Sequence, residues 1–225
     1  MISSLKSLVN ELGISNTISY LFSRVFNSLF GIEMTHYIFY SQPISSKKRV
    51  SEKKLAQYEF EVCSENSEII SQLGRPPEVI DKRFAQGAIC LLAKKEDVLL
   101  GCIWLVKQRY VEDQIRATYY YPNDAIWDFD VFVIPKKRLT PLFAALWDTA
   151  DNWMLEQNIN KSISRILAYN SSSIKSHTSA GASKIGWLIA LSRNNFQLTL
   201  YSLAPFIHIS TSKENLGPQL RFKKF

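Results

Sequence analysis

Hydrophobic residues recur at helical spacing near the start of the chain. Across residues 3–31 the apolar positions fall three or four residues apart, and Gly13 divides the segment into two helical pieces. The positions of this stripe are Ile18, Leu21, Phe22, Val25, Phe26, Leu29 and Phe30. We expect the stripe to pack on a sheet, with a helix over 15–31 lying on a membrane surface as the alternative. Lys6 and Arg24 are the only basic residues of the segment, which disfavours the membrane.

Downstream of residue 56 the hydrophobic pattern predicts strands and helices. Two apolar runs, 88–93 and 98–106, flank the polar turn 94–97 and predict an antiparallel hairpin. Further strands are predicted over 57–63, 115–121, 126–134, 163–169, 185–191 and 196–203, and helices over 66–73, 139–157 and 171–180. This order predicts an α/β or α+β fold with a mixed sheet.

The N-terminal quarter of the chain is expected to differ from the rest. Residues 1–56 are predicted to be a helical extension and a linker, with a solvated, lysine-rich loop over 41–54. Residues 57–225 then form the main domain, although a single domain over 1–225 is an alternative. Pro76–Pro77 is expected to stop the short helix that precedes it.

Composition and charge narrow the class of protein. The chain is 46% hydrophobic and 21% charged, which is typical of a globular protein. A net charge of +7 fits nucleic acid, an anionic membrane surface, or an anionic ligand or partner. The basic residues are scattered except around 47–54 and 136–138, and no recognisable nucleic-acid-binding module accompanies them. We therefore expect no nucleic-acid partner.

The cysteines and the apolar runs indicate a compartment. Cys63, Cys90 and Cys102 are odd in number and lie in apolar, strand-like runs, which predicts buried thiols in a reducing compartment. Their spacing does not suggest zinc, and we expect no metal. No convincing signal peptide and no stretch able to span a bilayer is present, so a cytoplasmic location is expected.

One segment combines the features of an anion site. The strand 126–134 leads through Pro135, Lys136, Lys137 and Arg138 into the helix over 139–157. Free backbone N–H groups and the helix dipole favour an anion at such a helix start, and the three cations could pair with phosphates. The alternative is a solvated basic turn.

Two further groups could carry chemistry. Strand alternation places Asp128 and Asp130 on one face, together with Phe132, where either carboxylate could act as a general base or pair with arginine. Asn170 follows a strand and suits the N-cap of the helix that carries His177. A histidine can transfer protons near neutral pH, but a lone helical histidine is more often a packing residue.

These segments resemble two signatures of the GNAT superfamily of N-acetyltransferases. The pattern Asn170-x-x-x-Ile174-x-x-His177-x-x-x-Gly181-Ala182 is similar to its last signature, and Val133-x-Pro135-x-x-Arg138 to its donor-binding signature. The hairpin over 88–106, with Gly101, resembles the central hairpin of that fold. The resemblance covers roughly residues 57–192. It implies a GNAT-like, mostly antiparallel mixed sheet flanked by helices.

The resemblance implies an N-acyltransferase whose amine acceptor attacks a thioester directly. The donor would be acetyl-CoA, another acyl-CoA or an acyl carrier protein. The implied catalytic residues are Asp128 or Asp130 as the base and His177 as the acid that protonates the leaving thiolate. The implied donor-binding residues are Phe132, Val133, Ile134, Arg138, Leu139, Thr140, Leu142, Phe143, Asn170 and Ser173.

The donor loop departs from the family pattern at two positions. Pro141 and Phe143 stand where the family has glycines that let the backbone approach the pyrophosphate of coenzyme A. Proline has no N–H to offer. Three possibilities therefore stay open: coenzyme A bound differently, an acyl carrier protein as donor, or a binding or scaffold protein that has lost catalysis. A peripheral membrane protein is a further alternative.

Overall fold

The computed structural model describes residues 2–138, 140–212 and 217–223. Its helices are α1 (Ile2–Leu12), α2 (Ile14–Phe30), α3 (Glu52–Leu55), α4 (Glu68–Ser71), α5 (Pro77–Ala85), α6 (Leu142–Glu156) and α7 (Ser171–Ser179), with a 3₁₀ turn at Pro135–Lys137. Its strands are β1 (Glu33–Pro43), β2 (Glu59–Cys63), β3 (Ile89–Lys95), β4 (Val98–Lys107), β5 (Arg109–Val111), β6 (Thr118–Tyr120), β7 (Ala125–Val133), β8 (Lys161–Leu167), β9 (Ser183–Arg193), β10 (Phe196–Tyr201), β11 (Ile207–Ser210) and β12 (Gln219–Arg221).

The chain divides into two compact units. Unit 1 comprises Met1–Gln42, Val111–Tyr121 and Ile163–Phe225, and unit 2 comprises Pro43–Tyr110 and Pro122–Ser162. Both units are built on mostly antiparallel strands flanked by helices, so the α/β fold class predicted from the sequence is confirmed.

In unit 1 the strands run in the order β11-β10-β9-β1-β8. Strand β1 pairs antiparallel with β9, from Glu33 opposite Ser192 to Ser41 opposite Ser183. On one face the rings of Phe39, Tyr119 and Phe222 pack edge to face at 5.1–6.3 Å between centroids. This aromatic cluster holds strand β6 and its parallel partner β12 against the strands of unit 1.

In unit 2 the strands run in the order β7-β4-β3-β2, and all three pairings are antiparallel. Helix α6 covers one face of them through apolar residues at helical spacing. The core members from α6 are Leu142, Leu146, Trp147, Ala150 and Met154, and those from the strands include Leu91, Ile103, Leu105, Ile126 and Val133. Burial of each large aliphatic side chain contributes about 1.5–3 kcal/mol, so this core fixes where α6 starts relative to β7.

Several elements agree with the sequence predictions. The hairpin β3–β4 is confirmed, as are the break between helices at Gly13, strands β7 and β9, and helices α4 and α7. All three cysteines are buried free thiols, as predicted. The helix predicted over 139–157 begins only at Leu142, and the strand predicted over 115–121 is limited to Thr118–Tyr120.

Other elements were not predicted from the sequence. Strand β1 lies inside the segment expected to be a helical extension and linker, and its pairing with β9 makes 33–43 part of the sheet. Pro77 does not merely stop a helix but occupies the first turn of α5, where a missing N–H costs nothing. The domain boundary at residue 57 stays a prediction.

Helix α2 packs on the sheet through its polar side, the reverse of the orientation expected from the sequence. Thr17 and Ser19 are buried, and the Ser19 hydroxyl lies 2.8 Å from His36 Nδ1 on β1. The apolar stripe faces solvent instead: Ile18, Leu21, Phe22, Val25, Leu29 and Phe30 are all exposed. The prediction that this stripe packs on the sheet is therefore wrong, because the polar side of α2 makes that contact.

Candidate active site

Strand β7 is interrupted by a bulge in the middle of the predicted donor segment. Phe129 lies opposite Trp104 and Phe132 lies opposite Cys102, so two residues of β7, Asp130 and Val131, face one residue of β4. Asp130 has φ of 48°, a left-handed conformation that few non-glycine residues adopt. Bulges of this kind redirect side chains and are frequent next to active sites.

The bulge directs the Asp130 carboxylate to two arginines. Arg83 Nη1 donates to Asp130 Oδ2 at 2.8 Å, and Arg75 Nη2 donates to Oδ1 at 2.8 Å. The guanidinium of Arg83 is buried and lies 5.1 Å from the ring centres of Trp104 and Phe129. The alternative of pairing with arginine, left open by the sequence, is thus the arrangement that Asp130 adopts.

Asp128 lies on the opposite side of the strand. It pairs with Leu105, which belongs to the core under α6, whereas Asp130 meets Arg83 on the face of Trp104. The prediction that Asp128 and Asp130 share one face is wrong, since the bulge inserts one residue between them and shifts the alternation. Asp128 is 2% exposed, and its carboxylate accepts a hydrogen bond from the Ser162 hydroxyl.

The backbone at the end of β7 and in the turn after it is already hydrogen-bonded. The Ile134 N–H donates to the Leu100 carbonyl at 2.9 Å, and Arg138 Nε donates to the Val133 carbonyl at 3.2 Å. The Thr140 hydroxyl donates to the Lys137 carbonyl at 2.7 Å. Val133 and Ile134 are predicted donor-binding residues, and one backbone group of each therefore already has a partner. Phe132 is half-buried.

Helix α6 begins where the donor loop was expected to offer N–H groups. Pro141 is its N-cap and supplies no N–H, so the first-turn donors are those of Leu142, Phe143 and Ala144. The Leu142 side chain is fully buried, and Phe143 packs against the core with its ring 6.4 Å from that of Trp147. Contact between Leu142 and a donor is thereby limited to its backbone, whose N–H already donates to Thr140 Oγ1 at 3.4 Å.

The cations of the turn lie just before these N–H groups. Lys136 and Arg138 are exposed and Lys137 is half-buried. None of the three forms an ion pair with a carboxylate within the ranges described. Leu139, predicted to bind the donor, lies outside the described residues. A cationic turn ahead of a helix N-terminus is suited to a phosphate-bearing ligand.

Gly101 is required by the close approach of β7 and α6. A Cβ at this position would lie 2.7 Å from the Phe132 carbonyl oxygen and 2.9 Å from Leu146 Cδ1. Real Cβ atoms do not come this close to a backbone oxygen. Glycine on β4 thus lets β7 and α6 both lie near the bulge, which gives a physical reason for the glycine noted in the sequence.

In unit 1 the residues of the second signature lie around α7. Asn170 Oδ1 accepts from the Ser173 N–H at 3.1 Å, so the predicted N-cap is confirmed. Gly181 follows α7 with φ of 89°, and the Ala182 N–H donates to the His177 carbonyl at 2.9 Å. These bonds close both ends of the helix that carries His177.

His177 is buried beside a glutamine. Its Nδ1 lies 3.2 Å from Gln42 Oε1, and both side chains are buried. An amide oxygen can only accept, so Nδ1 carries the proton in this arrangement and Nε2 is an acceptor in the neutral ring. His177 could accept a proton in that form, and it could donate one from Nε2 only as the imidazolium.

The predicted site residues are distributed over the two units. Asp128, Asp130 and the described donor-loop residues 132–143 lie in unit 2. Asn170, Ser173 and His177 lie in unit 1. Within unit 2 the bulge, the basic turn and the start of α6 follow one another along 130–144, which makes this stretch the best-defined part of the candidate site.

A buried ionic cluster joins the loop before α3 to α6. Asp148 accepts from the backbone N–H groups of Arg49 and Val50 at 2.8–3.0 Å, and Arg49 Nη1 bridges Asp148 and Asp151 at 3.0 and 2.7 Å. Burial raises the pKa of Asp151, and Arg49 opposes that rise. The loop predicted to be solvated is thus anchored to α6 by Arg49. The one sequence signal for this anchor is the spacing of Asp148 and Asp151, which puts both carboxylates on one side of α6.

Unit 1 contains a second charged cluster that the sequence did not reveal. Arg165 on β8 donates to both carboxylate oxygens of Glu112, and its guanidinium lies 4.7 Å from the ring centre of Tyr37. The Tyr37 hydroxyl donates to Gln114 Oε1 at 2.5 Å. Burial raises the pKa of Glu112, with Arg165 opposing it. The two partners are far apart in the sequence, and no local pattern marks them.

The part of the chain that the structure describes holds no group of three or more histidine, cysteine, aspartate or glutamate side chains suited to a metal ion. Within the same ranges, no helix is both long enough and apolar enough to cross a bilayer.

Comparison with known proteins gives matches in structure alone. No protein-family model and no curated protein matches the sequence. A tandem GNAT protein from the clavulanic acid biosynthesis pathway, solved without AcCoA, matches with a TM-score of 0.51 and 11% identity, over 75% of this chain and 57% of its own. A protein from Novosphingobium aromaticivorans, described as an acetyltransferase of the GNAT family, matches with a TM-score of 0.50 and 12% identity, over 73% and 69%.

A conserved protein of unknown function from Staphylococcus epidermidis matches with a TM-score of 0.50 and 9% identity, over 75% of this chain and 64% of its own. This chain therefore spans less than two thirds of the length of the Staphylococcus and clavulanic acid proteins. At 9–12% identity the likeness lies in the backbone rather than in the side chains. These matches show that the chain has the fold of the GNAT acetyltransferases.

Proposed function

We propose that this chain is an N-acyltransferase that moves an acetyl or longer acyl group from a thioester donor to an amine. The observation that carries the proposal is the described part of 130–144, where a bulged strand is followed by a cationic turn and then by the N-terminus of α6. The description of two fold neighbours as GNAT proteins, one of them an acetyltransferase, supports the same reaction class.

The donor is coenzyme A or the phosphopantetheine arm of an acyl carrier protein. Both carry phosphate, which the N–H groups of Phe143 and Ala144 and the cations Lys136 and Lys137 are suited to bind. Pro141, at the N-cap of α6, has no N–H to add to these donors. Binding of a pyrophosphate therefore depends more on the lysine side chains than on a glycine-rich backbone.

The reaction requires two proton transfers and no metal. The amine nitrogen attacks the thioester carbonyl, a C–N bond forms, and the C–S bond breaks as the thiolate leaves. The amine loses one proton to a base, and the thiolate gains one from an acid. We assign the proton transfers to His177 first, because Gln42 orients its ring with Nε2 as an acceptor.

The two aspartates have different roles in this proposal. Asp130 holds two arginines at the bulge and is a positioning residue, since its carboxylate oxygens are both engaged. Asp128 keeps the role of a candidate base, with Ser162 as its hydrogen-bond donor. Its near-complete burial means that a proton from the substrate would reach it through a relay rather than directly.

The second candidate function is a binding protein built on the same fold without catalysis. Pro141 at the helix start favours it, as do the internal hydrogen bonds of the Ile134 N–H and the Val133 carbonyl. These three features reduce the backbone groups that a thioester arm could use.

Thermal stabilisation by thioesters separates the two candidates. A ligand that binds the native state stabilises it by about 2.7 kcal/mol at a hundredfold excess over Kd, so melting with acetyl-CoA, long-chain acyl-CoA, free coenzyme A and an acyl carrier protein reveals the donor. We expect one thioester to raise the Tm, and the double variant Lys136→Ala/Lys137→Ala to lose most of that rise. The matched control is Lys53→Ala/Lys54→Ala, two adjacent exposed lysines on α3. A chain that no thioester stabilises supports the binding protein.

The role of His177 is tested separately from donor binding. Once a donor and an acceptor are known, His177→Gln should lower kcat by roughly 10²–10⁴-fold and remove one limb of the pH–rate profile, while the thioester-induced rise in Tm is kept. His208→Gln, at a half-buried histidine on β11, serves as the control. Unchanged turnover in His177→Gln contradicts the assignment.

A further inference from the structure

Helix α2 presents its apolar side to solvent. Seven side chains along one stripe are between 39% and 70% exposed: Ile14, Ile18, Leu21, Phe22, Val25, Leu29 and Phe30. The buried residues of the helix are the polar Thr17 and Ser19, whose hydroxyls bond to Gly13 O at 2.8 Å and to His36. An amphipathic helix normally buries the side that α2 leaves open.

The face of the sheet that contacts α2 also carries aliphatic residues. His36, which meets α2, is opposite Ile189, and Ile189 is opposite Leu200, which is opposite Ile207. Cross-strand partners share a face, so these aliphatic residues lie on the side of the sheet that carries α2. Ile207 and Ile209 on the last strand of this sheet are 54% and 58% exposed, whereas Gln197 and Thr199 on β10 are buried on the other face.

The size of this surface is that of a protein interface. Seven large side chains at the exposures of α2 leave on the order of 800 Å² of apolar surface, which is about what one partner of a standard interface buries. The largest apolar patch of a typical monomer is roughly 300–600 Å². Ile207 and Ile209 on β11 add exposed aliphatic surface on the same face of the sheet.

We propose that this surface, formed by the outer stripe of α2 and the exposed face of β10–β11, is where a second copy of the chain binds. Ile14, Ile18, Leu21 and Val25 follow one another at intervals of four, three and four residues, which is the seam along which two helices pack. A two-fold axis places the same patch on both partners, and an uncharged apolar patch can face its own copy without repulsion between like charges.

The distribution of charge favours a second copy over a lipid surface. A helix that lies on a membrane carries lysines and arginines beside its apolar face. Arg24 is the only charged residue of α2, and its Nη1 donates to the Tyr20 hydroxyl at 3.2 Å along the helix itself. The outward residues of β10 and β11 in the pairing above are aliphatic.

Sedimentation velocity of the full chain tests the proposal, with Val25→Glu and Val98→Glu as a matched pair. Both valines are about half exposed, at 48% and 53%, but Val98 begins β4 in unit 2 and lies outside the patch. We expect a dimer at about 10 µM for the wild type and for Val98→Glu, since standard interfaces give micromolar or tighter affinity. Val25→Glu should weaken dimerisation by about 100-fold, because it places a charge in a desolvated contact.

A second variant, away from α2, shows whether Val25→Glu acts on the interface or only disturbs its own helix. Ile209→Glu, on β11, should weaken the dimer as Val25→Glu does, while circular dichroism shows that each variant stays folded. A wild type that is monomeric at about 100 µM overturns the proposal, and its sedimentation with anionic vesicles would then identify lipid as the occupant. A dimer that survives both substitutions also overturns it, since the copies would then meet through another face.

Discussion

Replacing Asp130 by asparagine tests whether this residue is an anchor or a base. Arg83 is 5% exposed and Asp130 accepts from its Nη1 at 2.8 Å, so the change removes the carboxylate that a buried guanidinium binds. Breaking a buried pair costs about 3–5 kcal/mol. The Asp130 side chain is 22% exposed and asparagine still accepts one hydrogen bond, so we expect a loss of about 2 kcal/mol.

The asparagine leaves the backbone of the bulge in place. Asparagine tolerates positive φ as well as aspartate does, so the φ of 48° at this position is kept. For a chain of 225 residues, 1 kcal/mol shifts Tm by about 2–4 °C, and the expected fall is therefore about 4–8 °C. Differential scanning calorimetry and urea unfolding measure it.

A control and a double-mutant cycle sharpen the result. Arg75→Ala removes the exposed partner of Asp130 and should cost less than about 1 kcal/mol. Arg83→Met combined with Asp130→Asn should show a coupling energy of roughly 1–3 kcal/mol, because the two side chains are in contact. An Asp130→Asn variant that melts like the wild type but has lost turnover would refute the anchor role and make Asp130 the base.

Three further perturbations follow from the structure. Gly101→Ala forces a Cβ to within 2.7 Å of the Phe132 carbonyl oxygen, so we expect a loss of about 1–3 kcal/mol, measured by urea unfolding. Asp148→Ala removes the acceptor of two backbone N–H groups and a partner of Arg49, and should cost about 3 kcal/mol in the same assay. Burial and the nearby Lys184 charge lower the pKa of His36 in the folded chain below its ordinary value of 6.5. On acidification the unfolded chain therefore takes up a proton before the folded chain does, and stability falls as the pH drops below 6.5.

Each of these has its own control. The control for Gly101→Ala is Ala93→Gly, because Ala93 lies on β3 directly opposite Gly101. Removing this methyl group creates no clash, so Ala93→Gly should cause no loss of stability by overpacking. Glu52→Ala breaks only the exposed pair with Lys48 and should leave Tm unchanged, unlike Asp148→Ala. In His36→Asn the difference in Tm between pH 7.5 and pH 5.5 should be smaller than in the wild type, and an equal difference would place the pH dependence on other groups.

The parts of the fold that sequence could predict are those that local pattern decides. Apolar runs around a polar turn specify the β3–β4 hairpin, and an asparagine between a strand and a helix specifies the N-cap at Asn170. Strand β1 has a local signal in the hydrophobic run 37–40, but its partner β9 lies about 150 residues further on. Such distant pairing cannot be read from a window of sequence.

The parts that sequence could not predict depend on tertiary contacts. Alternation along β7 places Asp128 and Asp130 on one face only if the strand is regular, and no glycine marks the bulge that separates them. The period of α2 identifies its apolar side but not the direction that side faces, which the contact between Ser19 and His36 decides. The role of Arg49 depends on two aspartates a hundred residues away.

Amide hydrogen exchange with and without the thioester that stabilises the chain most tests the proposed donor site directly. If the donor binds at the bulge, the basic turn and the start of α6, peptides covering 130–145 should exchange more slowly in its presence. Peptides covering 46–56, which include the exposed lysines of α3, should not change. A thioester that raises Tm while leaving 130–145 unprotected would contradict a donor site in this segment.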